Sequence, residues 1–152
     1  MRITVIGAGL GKIELLTQKS IDLIQTADLV ISTDRLYEKF KGLNKNSCSL
    51  PLTEIAERVK ASVGMKTIVI LASGDVGFYS ISKMLKTTLE GYDVTFLSGT
   101  SSLQYLTSKM QISYVTIRTV SVHGREQSAI PFVCYNERVL VENIRHRMSL
   151  MS

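Results

Sequence analysis

The chain has 152 residues, 45% hydrophobic and 20% charged, a composition that suits one globular domain or two small ones and argues against a disordered chain. Its two cysteines, Cys48 and Cys134, lie far apart with no CxxC spacing, so they read as reduced thiols, with no disulfide framework and no metal site. The formal net charge of +5 favours anionic partners, but the basic residues are spread out and lack aromatic interleaving, which sets nucleic acid aside.

No apolar run approaches the ~20 residues needed to span a bilayer. The amino terminus meets Gly7 too early for a signal peptide, so the chain reads as cytoplasmic with no membrane partner. From there apolar runs alternate with amphipathic segments, the pattern of a parallel sheet with crossover helices. A first strand, Ile3 to Ile6, runs into Gly7-Ala8-Gly9-Leu10-Gly11. Thr17 is placed to cap a helix with Ile21 and Ile24 on one face. Leu29 to Ile31 is a second buried strand with Asp34 just past its end, and Gly42 to Ser49 reads as a loop. Thr53 then caps a helix with Ile55, Val59 and Val63 inward.

The strongest strand is Thr67 to Ala72, apolar throughout after its first residue, as burial on both faces requires. It ends in Ser73-Gly74-Asp75. A helix with Ile81, Met84, Leu85 and Leu89 at three-and-four spacing follows, then a strand from Val94 to Leu97. That strand leads into Ser98-Gly99-Thr100-Ser101-Ser102 and a helix presenting Leu103, Leu106 and Met110. Beyond it the pattern weakens. Val120 to Val122 reads as a strand ending at His123-Gly124-Arg125-Glu126, a short helix or loop runs towards Asn136, and Val139 to Val141 is a further strand. The tail from Asn143 has little to bury.

Three polar, glycine-containing loops thus follow three strands. In an open α/β sheet such loops share the carboxyl edge, where ligands bind at a topological switch point. One loop alone reads first as a simple turn from strand to helix; three together point to a binding cleft. The first loop comes near the dinucleotide fingerprint GxGxxG, with Asp34 about where a ribose-binding acid falls, but Lys12 stands where the third glycine belongs. A dinucleotide enzyme is therefore the second reading.

In order and spacing, four segments resemble the tetrapyrrole methylase family over residues 1 to about 138. They are Gly7-Ala8-Gly9-Leu10-Gly11, Leu71-Ala72-Ser73-Gly74-Asp75-Val76-Gly77-Phe78-Tyr79, Ser98-Gly99-Thr100-Ser101-Ser102-Leu103-Gln104 and Ser121-Val122-His123-Gly124-Arg125. The last is diagnostic of members that methylate C5 of precorrin-6Y or cobalt-precorrin-7. Leu10, Val76 and Ser98 stand where the family usually has proline, which loosens three loops without removing chemistry.

The resemblance implies a mostly parallel sheet with flanking helices over residues 1–115, then a second, partial α/β domain over 116–152. It also implies S-adenosyl-L-methionine as methyl donor, bound in the cleft between two domains. A complete second domain would run well past Ser152, so a shortened, non-catalytic remnant is a further alternative. Gly9, Leu10, Gly74, Asp75, Phe78, Ser101 and Ser102 are implied to lie around the donor. The bland reading of Asp75 is a helix N-terminal acid, and that of Phe78 and Tyr79 is core. His123 is the titratable candidate for a general base, against a histidine that merely bonds a loop carbonyl. Arg125 suits a substrate carboxylate, against a solvated arginine. The substrate implied is a corrin precursor rich in carboxylates. The implied partners are a second copy of the chain and a separate C15-methylating, decarboxylating subunit.

Overall fold

A computed structural model describes residues 1–78, 80–121, 139–142 and 148–151. The chain forms two compact units, Met1–Ser101 and Ser102–Ser152. The first is built on strands β1 (Arg2–Gly7), β2 (Leu29–Ser32), β3 (Ser47–Ser49), β4 (Thr67–Ala72) and β5 (Asp93–Leu97). All are parallel and lie in the order β3-β2-β4-β1-β5. Helices α1 (Gln18–Thr26), α2 (Asp34–Phe40), α3 (Ile55–Lys60) and α4 (Ser82–Thr88) connect them. This is the open parallel sheet with flanking helices that the alternating pattern predicts.

The two-residue period of the strands divides the core in two. On one face Ile3, Val5, Leu29, Ile31, Ile68, Ile70 and Ala72 meet Ile55 and Val59 of α3 and Leu85 of α4, with Leu89 just beyond it. On the other Ile6, Val30, Val69 and Leu71 meet Ile24 of α1 and Leu36 and Phe40 of α2. Central β4 feeds both faces, which is why its sequence is an unbroken apolar run.

Several local expectations are corrected. Thr17 does cap α1, its hydroxyl accepting the Ser20 N–H at 3.2 Å. The inward face of α1, however, carries Ser20 and Ile24, and Ile21 is only half-buried. The stretch from Gly42 to Ser49 is not all loop, since Ser47–Ser49 forms the edge strand β3, paired to β2. Its Ser-Cys-Ser sequence has no apolar alternation to announce it. Asp34–Phe40 is a helix with only Leu36 and Phe40 buried, too short for a clear period. Thr53 lies in a 3-10 turn and caps nothing, and α3 stops at Lys60, leaving Val63 91% exposed ahead of a turn at Gly64.

The second unit holds α5 (Ser102–Met110) and strands β6 (Arg118–Ser121), β7 (Val139–Glu142) and β8 (Met148–Met151). β6 and β7 pair in parallel, and β8 returns antiparallel to β7. Within the tail, read as having little to bury, Met148–Met151 is a strand. In α5 the expected stripe is only partly covered, since Leu103 and Leu106 are half-buried and Met110 is 44% exposed. No helix among the described residues is long and apolar enough to cross a membrane.

Candidate functional site

The strand order sets where a ligand can enter. The chain leaves β1 through α1 towards β2, on the far side of β4, and leaves β4 through α4 towards β5, on the far side of β1. Helices α1 and α4 pack on opposite faces of the sheet. Between the neighbours β1 and β4 the two exits diverge, so a crevice opens at their carboxyl ends.

Backbone closes on backbone there. Ala8 N–H donates to Ala72 O at 2.7 Å, and Gly9 and Gly74 exchange both bonds, Gly9 N–H to Gly74 O at 3.1 Å and Gly74 N–H to Gly9 O at 2.9 Å. The two loops therefore cross as a single antiparallel bridge on top of a parallel pair. The β5 loop joins them at Gly99, where an added Cβ would fall on the carbonyl of Gly7 and 2.8 Å from Gly74 O. Only glycine fits such an approach. Gly9 is buried, Leu10 half-buried, and Thr100 lies against Gly9.

Asp75 ties this junction together. Its Oδ1 accepts the Gly77 N–H at 2.8 Å and its Oδ2 accepts the Gly99 N–H at 3.0 Å, so one carboxylate both turns its own loop and holds the β5 loop. The helix N-terminal reading of Asp75 fails, since α4 begins seven residues later at Ser82. The Phe78 N–H closes the same turn onto Asp75 O at 3.2 Å, and the Phe78 side chain is half-buried rather than core. Ser101 is buried at 5% exposure. Ser102 opens α5 at 8% exposure, and among the described residues its hydroxyl has no hydrogen-bond partner.

His123 and Arg125 lie outside the described residues, as do Tyr79 and Cys134. One neighbour of the site escapes a reading by sequence. Arg35 of α2 donates from Nη2 to Ser73 Oγ at 2.5 Å, reaching the β4 loop from a helix that carries no motif. Asp34 accepts a hydrogen bond from the Ser49 hydroxyl. In a dinucleotide fold the ribose acid follows the strand next to β1, but here β4 separates β2 from β1. Asp34 therefore stands two strand spacings, roughly 10 Å, from the first glycine loop. That topology removes the acid on which the dinucleotide reading depends.

The family described as Tetrapyrrole (Corrin/Porphyrin) Methylases matches residues 2–149. A protein of Methanocaldococcus jannaschii named "Probable cobalt-precorrin-7 C(5)-methyltransferase" is 32% identical over 131 residues, 83% of this chain and 62% of that relative. The chain thus spans less than two thirds of that relative's length. Among solved structures, the precorrin-6Y methylase of Archaeoglobus fulgidus superposes with a TM-score of 0.72 at 17% identity, over 92% of this chain and 72% of its own. The uroporphyrin-III C-methyl transferase of Thermus thermophilus, solved with S-adenosylhomocysteine, gives 0.76 at 22% identity, over 93% of this chain and 65% of its own. At those identities the superpositions establish a shared fold.

Proposed function

The chain belongs to the tetrapyrrole (corrin/porphyrin) methylases, and on that premise we propose that it methylates C5 of a corrin precursor, of the precorrin-6Y or cobalt-precorrin-7 type, with S-adenosyl-L-methionine as donor. The observation that carries the donor site is the junction of three glycine loops at the β1–β4 crevice, locked by Asp75. The residues present fit such a group. The junction has no room for side chains at Gly7 and Gly99, the Asp75 carboxylate is anchored beside it, and Phe78 next to it is half-buried. Gly9, Leu10, Gly74, Asp75, Phe78, Ser101 and Ser102 are the residues we assign to it.

When bound, the donor supplies an electrophilic methyl group on a sulfonium. The protein's part is to hold that group in line with a macrocycle carbon and to exclude water, which supplies up to ~7–11 kcal/mol of the barrier reduction. Asp75 contributes by fixing the β4 and β5 loops in one geometry while its remaining lone pairs face a ligand. We assign His123 as the base that takes the displaced proton and Arg125 as a partner for a substrate carboxylate. The same reading gives the chain a cytoplasmic site of action and a second copy of itself as partner. A separate C15-methylating, decarboxylating enzyme acts on the same substrate. The 32%-identical relative named for C5 methylation supports the choice of position.

The test is direct. Incubation with S-adenosyl-L-methionine and cobalt-precorrin-7 should add one methyl group by mass spectrometry, and His123→Ala should slow the addition on the order of 100-fold. A folded chain that binds S-adenosylhomocysteine yet adds no methyl group would instead support a non-catalytic remnant.

A further inference from the structure

Helix α2 carries two cations that its own acids do not neutralise. Asp34 takes the Ser49 hydroxyl, and Glu38 is held by Lys41 Nζ at 2.7 Å. Arg35 and Lys39, four residues apart and so on one face of the helix, have no carboxylate within ion-pairing distance among the described residues. Leu36 and Phe40, about 100° further round the helix, are buried in the core. The exposed face therefore points its charges along the edge of the donor loops. Arg35 reaches Ser73 at 2.5 Å, beyond β4, and the stem of Lys39 crosses Gly11, beyond β1, where an added Cβ would lie 3.0 Å from Lys39 Cδ.

Lys12 extends this row. It follows Gly11, is exposed, and likewise has no carboxylate in reach among the described residues. Gly11, Lys12, Ile13, Glu14, Glu38 and Lys39 line an open recess of about 390 Å³. Ile13 is 42% exposed within it, leaving apolar surface beside two ammonium groups. Glu14 is the one acid of the recess with no cation in reach among the described residues.

We propose that Lys12, Arg35 and Lys39 form a substrate-binding rim that grips the peripheral carboxylates of the macrocycle, with Ile13 against its hydrocarbon edge. Three cations, Lys12 on the first loop and Arg35 and Lys39 on α2, match a ligand with several anionic arms around an apolar disc. A free phosphate would use one cation and leave Ile13 idle. The identity of the macrocycle rests on the methylase reading; the rim itself rests on the geometry of α2 and the first loop. Guanidinium keeps four of its five N–H donors after bonding Ser73, enough for a bidentate carboxylate contact.

The probe is an octacarboxylic porphyrin, uroporphyrin, titrated by fluorescence into the full chain. Lys12→Gln/Lys39→Gln should weaken it, and adding Arg35→Gln should bring the loss to roughly 10-fold, three exposed ion pairs of under 1 kcal/mol each. Glu14→Gln should tighten binding. Lys19→Gln/Lys83→Gln/Lys86→Gln removes the same net charge elsewhere and should leave affinity near wild type. The double variant should bind S-adenosylhomocysteine as wild type does, which also reports that it is folded. Equal loss in the rim and control triples overturns the proposal, as does displacement of the porphyrin by inorganic phosphate at constant ionic strength. Failure of wild type to bind S-adenosylhomocysteine strikes the donor reading instead, and the porphyrin series still decides the rim.

Discussion

Asp75 holds two loops with one side chain, and its chemistry sets what each substitution does. An alanine leaves the N–H groups of Gly77 and Gly99 without their acceptor. With charge-assisted bonds worth about 1.5–3 kcal/mol each, Asp75→Ala should lower affinity for S-adenosylhomocysteine at least ~10-fold and lower the melting temperature. Asp75→Asn keeps one carbonyl acceptor and should fall between. Calorimetry on the three proteins checks the order, and an unchanged donor affinity in Asp75→Ala would remove this residue from the site. Asp28 gives a pH prediction of known sign. The backbone N–H groups of Thr67 and Lys66, then the Thr67 hydroxyl, bond its carboxylate and hold it below the ordinary value of 3.8. In that window the unfolded chain binds more protons, so the stability due to Asp28 is present above it and drains as pH falls through the folded value. Urea midpoints of wild type and Asp28→Asn should differ more at pH 6 than at pH 3. A constant difference would contradict this.

At the scale of elements, α1 shows how a loop residue finishes a helix. Asn44, 7% exposed, donates from Nδ2 to Ile24 O at 2.7 Å and Ala27 O at 2.9 Å, and its Oδ1 accepts the Asn46 N–H at 2.8 Å. It satisfies carbonyls that a helix end leaves without partners. Asn44→Ala should cost about 3 kcal/mol, or roughly 6–12 °C in melting temperature by scanning calorimetry. A loss within error would mean water replaces the amide. Nothing in the sequence marks Asn44, whose partners lie 20 and 17 residues away. The elements a sequence does reveal are those whose burial is continuous, such as β4, where every residue after Thr67 is buried. Those it hides owe their existence to neighbours: β3 is an edge strand of three half-buried residues, and α2 has one buried pair. Apolar spacing continues to Val63, past the point where α3 ends at Lys60 and the backbone turns at Gly64.

For the molecule as a whole, the sequence places three loops after three strands, but strand order, a long-range property, decides which loops meet. The order β3-β2-β4-β1-β5 brings Gly9 onto Gly74 and Gly7 onto Gly99, and the same order keeps Asp34 away. Motif residues within the loops were therefore readable, whereas Arg35 and Lys39, which approach from a helix without a motif, were not. We propose this junction as a methyl-donor site, in a chain spanning 62% of the length of its Methanocaldococcus relative. Calorimetric titration of the purified chain with S-adenosylhomocysteine, with NAD as the control ligand, decides it. A methyl-donor site should bind S-adenosylhomocysteine saturably, one per chain, and NAD not at all; binding of NAD alone, or of neither ligand by the folded protein, would exclude it.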